Sequence, residues 1–174
     1  MTRKQGFTLI ETLVYIVVLV IILVVVISFL SWSIRINVKA KIAVETLNSA
    51  KRIMEIIDYE IRSSKSIYNP TSIFNSNPGQ LSLETANHLP VGEKITFVDF
   101  YLCGDQLCLK MESQDPVALS APNIKIDNII FREVVSGDRS SVQIELTASY
   151  DSQSELPEYQ STVSLKSTVS SRSY

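Results

Sequence analysis

Three groups of residues in this chain have the types and spacing to do chemistry. The first is the run Arg3-Lys4-Gln5-Gly6-Phe7-Thr8-Leu9-Ile10-Glu11. Gly6 has no side chain and leaves the backbone before Phe7 open to a protease. Glu11 stands at the mouth of an apolar run in which, from Leu13 to Ile27, no residue is more polar than Tyr15. An acidic side chain in a membrane helix costs up to roughly 3 kcal/mol, less near the interface, and is a functional residue by default. The chemistry open to Glu11 is a charge pair with an ammonium group, because an unpaired charge in a packed low-dielectric bundle is expensive. The second group is Cys103 and Cys108, the only cysteines. They offer a disulfide, two free thiols or half a metal site, and the last lacks nearby His or Cys partners. The third is His88, the only histidine, between Asn87 and Leu89-Pro90. A catalytic role would need a nucleophile and an orienting acid that the sequence does not place around it.

The elements that position these residues begin with the apolar run. Phe7 to Leu30 is long enough to cross a bilayer as one helix. It is rich in Val and Ile, mediocre helix formers in water, but in lipid the backbone must satisfy its own hydrogen bonds. A secretory signal peptide would have an apolar region of about 7–15 residues followed by a small-residue cleavage site. This run is longer, Glu11 interrupts its start, and Ser31-Trp32-Ser33 is a weak small-x-small match. A plain uncleaved anchor would need neither Gly6 nor Glu11.

Gly-Phe-Thr-Leu-Ile-Glu ahead of a membrane helix resembles the class III signal of type IV pilins and pseudopilins. The resemblance implies cleavage by a prepilin peptidase between Gly6 and Phe7 and methylation of the new Phe7 amino terminus. It makes Glu11 the fifth residue of the mature chain, an assembly residue that pairs with the terminal ammonium of a neighbouring subunit. It also fixes an orientation that charge alone leaves open. Arg3 and Lys4 favour a cytoplasmic amino terminus, but Arg35, Lys39 and Lys41 flank the other end of the span. The implied place is the cytoplasmic (inner) membrane, single-pass with the head outside, and then an extracytoplasmic filament.

Past the membrane the helix continues. Ile36, Ala40, Ala43, Leu47, Ala50, Met54, Ile57 and Ile61 recur at spacings of four and three, one continuous apolar seam. Ile53 and Ile56 widen it toward the carboxyl end, where a sheet would pack, while Lys41, Glu45, Lys51, Arg52, Glu55 and Asp58 occupy other faces. The seam suits a two-chain coiled coil or packing onto the single downstream domain; the three alanines favour the latter. With no proline before Pro70, the segment predicts one unkinked helix from Phe7 to about Ser66, roughly 90 Å long.

Ser63-Ser64-Lys65-Ser66 ends that pattern, and Asn69-Pro70 and Asn75-Ser76-Asn77-Pro78-Gly79 are loop signals. Beyond Gln80 the period is two. Leu81 and Leu83 suggest a short strand. Ile95 to Cys103 and Leu107 to Glu112 read as a hairpin around Gly104-Asp105-Gln106. With Asp105-Gln106 as a two-residue loop, Cys103 faces Cys108, and directly opposed Cα atoms about 4.5–5.5 Å apart lie within disulfide range. A head outside the cytoplasm would permit oxidation. Ile124 to Val135 is a long strand bent or bulged at Asp127-Asn128, and Val142, Ile144, Leu146 and Ala148 mark a half-buried one. Val163 and Leu165 start a last strand, with Ser167 to Tyr174 fraying.

The organisation expected is a leader at 1–6, a transmembrane helix at 7–30, its amphipathic continuation at 31–67, and a globular head at 68–174. The fold class is α+β, a long helix packed on a carboxyl-terminal antiparallel β-sheet domain, as in pilins. The order of elements looks like J-type minor pseudopilins of type II secretion or W-type minor pilins. Net charge is −2, but residues 34–65 hold seven basic and four acidic side chains, and residues 67–174 seven basic and thirteen acidic. An acidic head is a poor match for a phosphate backbone. The aspartates form no Asp-x-Asp run, so calcium has no obvious loop. The function expected is a minor pilin or pseudopilin subunit of a type II secretion pseudopilus or type IV pilus-like filament, in initiation or at the tip, with no enzyme activity and no cofactor. Its partners would be other pilin subunits, the prepilin peptidase and the inner-membrane assembly platform. A minor pilin whose head binds DNA or a surface is the alternative.

Overall fold

The computed structural model describes residues 8–171, apart from 88, 90, 91, 113, 137, 138 and 155. Gly6, Phe7 and His88 therefore lie outside the described residues. α1 is a single helix, Leu9–Ser63, of 55 residues, about 80 Å long. No glycine or proline interrupts it, and its lower part carries a window of mean hydropathy 3.5 with nothing buried. It ends at Ser64, which turns to φ −72°, ψ 151° and donates its N–H to Glu60 O. The helix pattern runs to about Ser66 in sequence, but residues 66–67 join a sheet instead.

All strands pair antiparallel and form two sheets, not one. β1 (Ser66–Ile67), β2 (Leu81–Thr85), β3 (Thr96–Cys103), β4 (Gln106–Met111) and β5 (Val117–Ala118) lie side by side in that order. β6 (Ile124–Ser136), β7 (Arg139–Tyr150) and β8 (Thr162–Ser170) form the second sheet. The alternation that marks these strands decides what they bury. Leu81, Leu83, Val98, Phe100, Leu107, Ile129, Phe131, Val142, Ile144 and Leu146 meet Ile53, Ile57 and Ile61 of α1 in one core. The register of β6 on β7 shifts between Ile126 and Asn128, a bulge at Asp127, where the sequence pattern places it. β8 does not fray after Leu165. It runs to Ser170 because Val169 continues the inward period and is buried, while outward Ser and Thr hydroxyls pair with β7.

The second sheet runs alongside α1. Near its base Asn123 Nδ2 donates to Glu45 Oε1 at 2.7 Å, higher up Ser167 Oγ donates to Asp58 Oδ2 at 3.3 Å, and past the helix end Asn69 Nδ2 donates to Glu133 Oε2 at 3.4 Å. The 75–79 loop closes the outer edge of β6. Asn75 and Gly79 donate their backbone N–H groups to Phe131 O and Ile129 O at 2.9 and 2.8 Å. Gly79 fits there because a Cβ would meet Ile129 O at 3.2 Å and the Phe131 ring at 3.1 Å.

The buried stripe of α1 differs from the expected seam. It runs through Ile42, Thr46, Ala50, Ile53, Met54, Ile57, Glu60 and Ile61. Ala50, Met54, Ile57 and Ile61 hold their predicted places, Leu47 is half-buried, and Ile36, Ala40 and Ala43 are exposed. The head's cover on the helix reaches down to Ile42, with Glu158 near Arg35, but it lies on another face from Ile36, Ala40 and Ala43. Glu45 and Asp58, read as outward-facing, instead contact the head.

Candidate functional site

Thr8 is the first described residue of the signal segment. It caps α1 with extended backbone (φ −81°, ψ 150°), and its carbonyl accepts the N–H groups of Glu11 and Thr12 at 3.1 and 3.2 Å. Glu11 thus sits in the first turn, where the exposed N–H groups of the helix favour an anion. Its carboxylate is exposed and has no partner among the described residues. Three hydroxyls of the apolar segment are engaged within the helix. Thr12 Oγ1 donates to Leu9 O at 2.8 Å, Ser28 Oγ to Val24 O at 2.8 Å and Ser31 Oγ to Ile27 O at 2.9 Å. That satisfaction is what a lipid environment demands.

The second candidate group lies in the head, near Ala121 and Ile126. Cys103 and Cys108 are bonded in the structure, with Cα atoms 5.8 Å apart. The hairpin register differs from the expected one. Gly104-Asp105 forms the turn, with Gly104 at φ +66°, so Cys103 stands opposite Gln106 and Cys108 opposite Tyr101. Glycine's freedom at positive φ moves the turn one residue earlier than the sequence pattern suggests. The turn also docks on the second sheet. Ile126 N–H donates to Asp105 O at 2.8 Å, and Lys125 Nζ lies 3.3 Å from Asp105 Oδ1. The disulfide therefore braces the corner where the two sheets meet.

Sequence reasoning missed the contacts that hold the stem to the head. Besides Asn123–Glu45, Ala121 N–H donates to Ser49 Oγ at 3.4 Å, and Arg35 lies 4.0 Å from Glu158. Asp58 is the chemically uneasy member. Burial pushes its pKa up, and the Ser167 hydrogen bond and the charge of Arg62 pull the other way. Its Oδ1 is buried without a hydrogen-bond partner. On the outer face of the second sheet, Arg132 first and then Lys166 hold Glu145 below the usual carboxylate range. A signal for the stem contacts was present in the acids and amides near the seam, but pairing Glu45 with Asn123 requires knowing which strand lies beside the helix.

No curated protein and no solved structure matches the chain. Residues 1–27 match the family described as the prokaryotic N-terminal methylation motif. That match, with the long apolar helix behind it and antiparallel sheets against its upper part, supports a type IV pilin-like protein. It points to a subunit processed by prepilin peptidase, anchored in the inner membrane and associated with other pilins, structural rather than enzymatic.

Proposed function

We propose that this chain is a minor pilin or pseudopilin subunit of a type II secretion pseudopilus or type IV pilus-like filament, acting at initiation or at the tip. Its element order is similar to the J-type minor pseudopilins and W-type minor pilins. The observation that carries the reading is the motif ending in Glu11 at the head of a helix that first has nothing to pack on and then holds a folded head. In this reading the peptidase cuts between Gly6 and Phe7, and Phe7 is methylated. The head faces away from the cytoplasm, where Cys103 and Cys108 oxidise. The assembly platform then lifts the subunit into a bundle in which Glu11 meets a neighbour's terminal ammonium. Mass spectrometry of the mature protein tests it. An N-methylated Phe7 terminus is expected, and an intact Met1 terminus in cells with active prepilin peptidase would sink the reading. Replacing Gly6 with a bulky residue should leave the precursor in the membrane.

A further inference from the structure

The connection from β7 to β8, residues 151–161, carries the head down along α1. Its start is fixed beside Glu45: Asp151 N–H donates to Asn123 O at 2.9 Å, and Asn123 in turn donates to Glu45. From there the chain descends. The turn Pro157–Tyr159 packs against the helix, and Glu158 Oε1 lies 4.0 Å from Arg35 Nε. Arg35 is about 15 Å below Glu45 along the helix axis. Val38 and Ile42, between those two levels, are half-buried and buried.

The membrane sets a second scale. At 1.5 Å per residue the stretch from Glu11 to Leu30 is about 30 Å long, the thickness of a hydrocarbon core. The headgroup layer adds about 5–7 Å on each side. Arg35 stands about 7 Å past Leu30, so the turn packed beside it reaches the outer edge of that layer. The side chains at this level suit an interface. Trp32, the only tryptophan, is 60% exposed, and its ring centroid lies 6.1 Å from that of Phe29. It is three residues before Arg35 and so shares a helix face with it. In the loop, Leu156 is 53% exposed and Tyr159 is also exposed, one on each side of Glu158. Residues 151–161 contain no Lys or Arg.

We propose that the Leu156–Tyr159 loop is a second membrane contact. In the unassembled subunit its exposed Leu156 and Tyr159 enter the headgroup layer beside Trp32 and seat the head on the bilayer surface. Trp and Tyr collect at this depth, where one end of the ring is apolar and the other wet. Leu156 gains by leaving water for the same layer. The contact is apolar and does not read anionic headgroups, because the loop offers acids and no cation. The surface is continuous with the membrane span: the helix that crosses the bilayer is the helix on which the loop packs. Seated in this way, the head keeps one height and one orientation about the point where α1 leaves the lipid. Lifting the subunit into a filament must then free the loop as well as the span. The inference rests on the reading of a membrane-anchored subunit and adds a contact made by its head.

Full-length chains reconstituted in phosphatidylcholine vesicles test this, each with one added cysteine carrying a nitroxide label. The positions are Leu156→Cys, Tyr159→Cys, Val20→Cys in the span and Val135→Cys, exposed near the far end of β6. Cys103 and Cys108 are bonded to each other and take no label. Oxygen, which concentrates in lipid, and a nickel chelate, which stays in water, report the depth of each label. Labels at Leu156 and Tyr159 should fall between Val20 and Val135 in their preference for oxygen, with or without added phosphatidylglycerol. Adding Leu156→Asp should return the Tyr159 label to the Val135 value, with urea unfolding of the head unchanged because the leucine is exposed. A Val20 label in lipid with Leu156 and Tyr159 labels equal to Val135 would overturn the loop contact and leave the anchor standing. Loop labels shielded from both reagents would overturn lipid as the occupant in favour of protein. Insertion that requires phosphatidylglycerol would overturn the apolar contact. A Val20 label in water would remove the anchor and this inference with it.

Discussion

The two halves of α1 use the same residue types for opposite ends. From Leu9 to Ile34 the helix is almost wholly Ile, Val and Leu, and its large apolar side chains are all exposed. From Ile42 to Ile61 the same kinds of side chain form a stripe, several members of which have no exposed surface. What separates the halves is periodicity, not hydrophobicity. The lower half is apolar on all faces, as a helix solvated by lipid or like helices must be, and its one charge is Glu11. The upper half is apolar on one face and anchored to the head by Glu45, Ser49 and Asp58. One continuous helix therefore joins a surface that the described chain leaves exposed to one packed on its own head.

The hardest test of that contrast is Glu11→Leu. If the lower half were only an anchor, leucine would improve it. If Glu11 pairs with a neighbour's terminal ammonium, its loss leaves a buried charge uncompensated, and entry into filaments should fall by about tenfold or more. Co-purification with sheared filaments measures this, with processed protein in the membrane as the control. Unchanged incorporation would reduce the lower half to an anchor.

The next test sets one side chain from each half against the other. Ile57 has no exposed surface, so Ile57→Ala should destabilise the head by about 2–5 kcal/mol. Val20→Ala, in the exposed lower half, should leave the head within about 0.5 kcal/mol. Pulse proteolysis of the full chain across a urea series reads both. A smaller effect comes from the head's own brace. Replacing Cys103 and Cys108 with serine should cost roughly 2 kcal/mol, the value for a short loop. Melting of reduced and oxidised protein gives the same comparison without mutation, and equal melting would show that the Asp105 contacts to β6 hold the corner unaided.

The contrast also explains which parts were legible in the sequence. The lower half, the bulge at Asp127 and the inward alternation of β7 need only local pattern, and each lies where that pattern predicts. The upper stripe was legible from Ala50 onward, because the head supplies one wall and the 3.6-residue period reports it. Below that the period misled. Ile36, Ala40 and Ala43 continue the seam but face away from the cover that buries Ile42, while Thr46 is buried with its hydroxyl donating back to Ile42 O at 2.9 Å. A threonine satisfied in this way packs like valine, and a polarity pattern cannot see it. The cysteine register failed for a similarly local reason, since Gly104 at positive φ takes a place in the two-residue turn and shifts it by one residue. Long-range partners such as Asn123 for Glu45 depend on which strand meets the helix.

The finest test compares the two acids that α1 places on functional contacts. Glu11 has no partner among the described residues and is proposed to find one in a neighbouring subunit, whereas Asp58 has a weak one inside the chain: Ser167 at 3.3 Å on one oxygen and nothing on the other. Burial raises the Asp58 pKa above that of the unfolded chain, against the opposing pull of Ser167 and Arg62. The folded state therefore binds the proton more tightly, and stability falls as pH rises from the unfolded value through the folded one. Below that window the acid is protonated in both states and carries no penalty; above it the penalty is complete. Asp58→Asn keeps an acceptor for the Ser167 hydroxyl and removes the charge. It should flatten the slope just above the usual carboxylate range and leave the variant slightly more stable at neutral pH. The gain is the smallest of the set because the group is only partly buried and solvent screens it. Thermal melts of the two proteins across the acid range measure the difference. A variant that is less stable at neutral pH would show that the Asp58 charge holds the stem to β8, and the upper half would then depend on an ionised group much as the lower half is proposed to depend on Glu11.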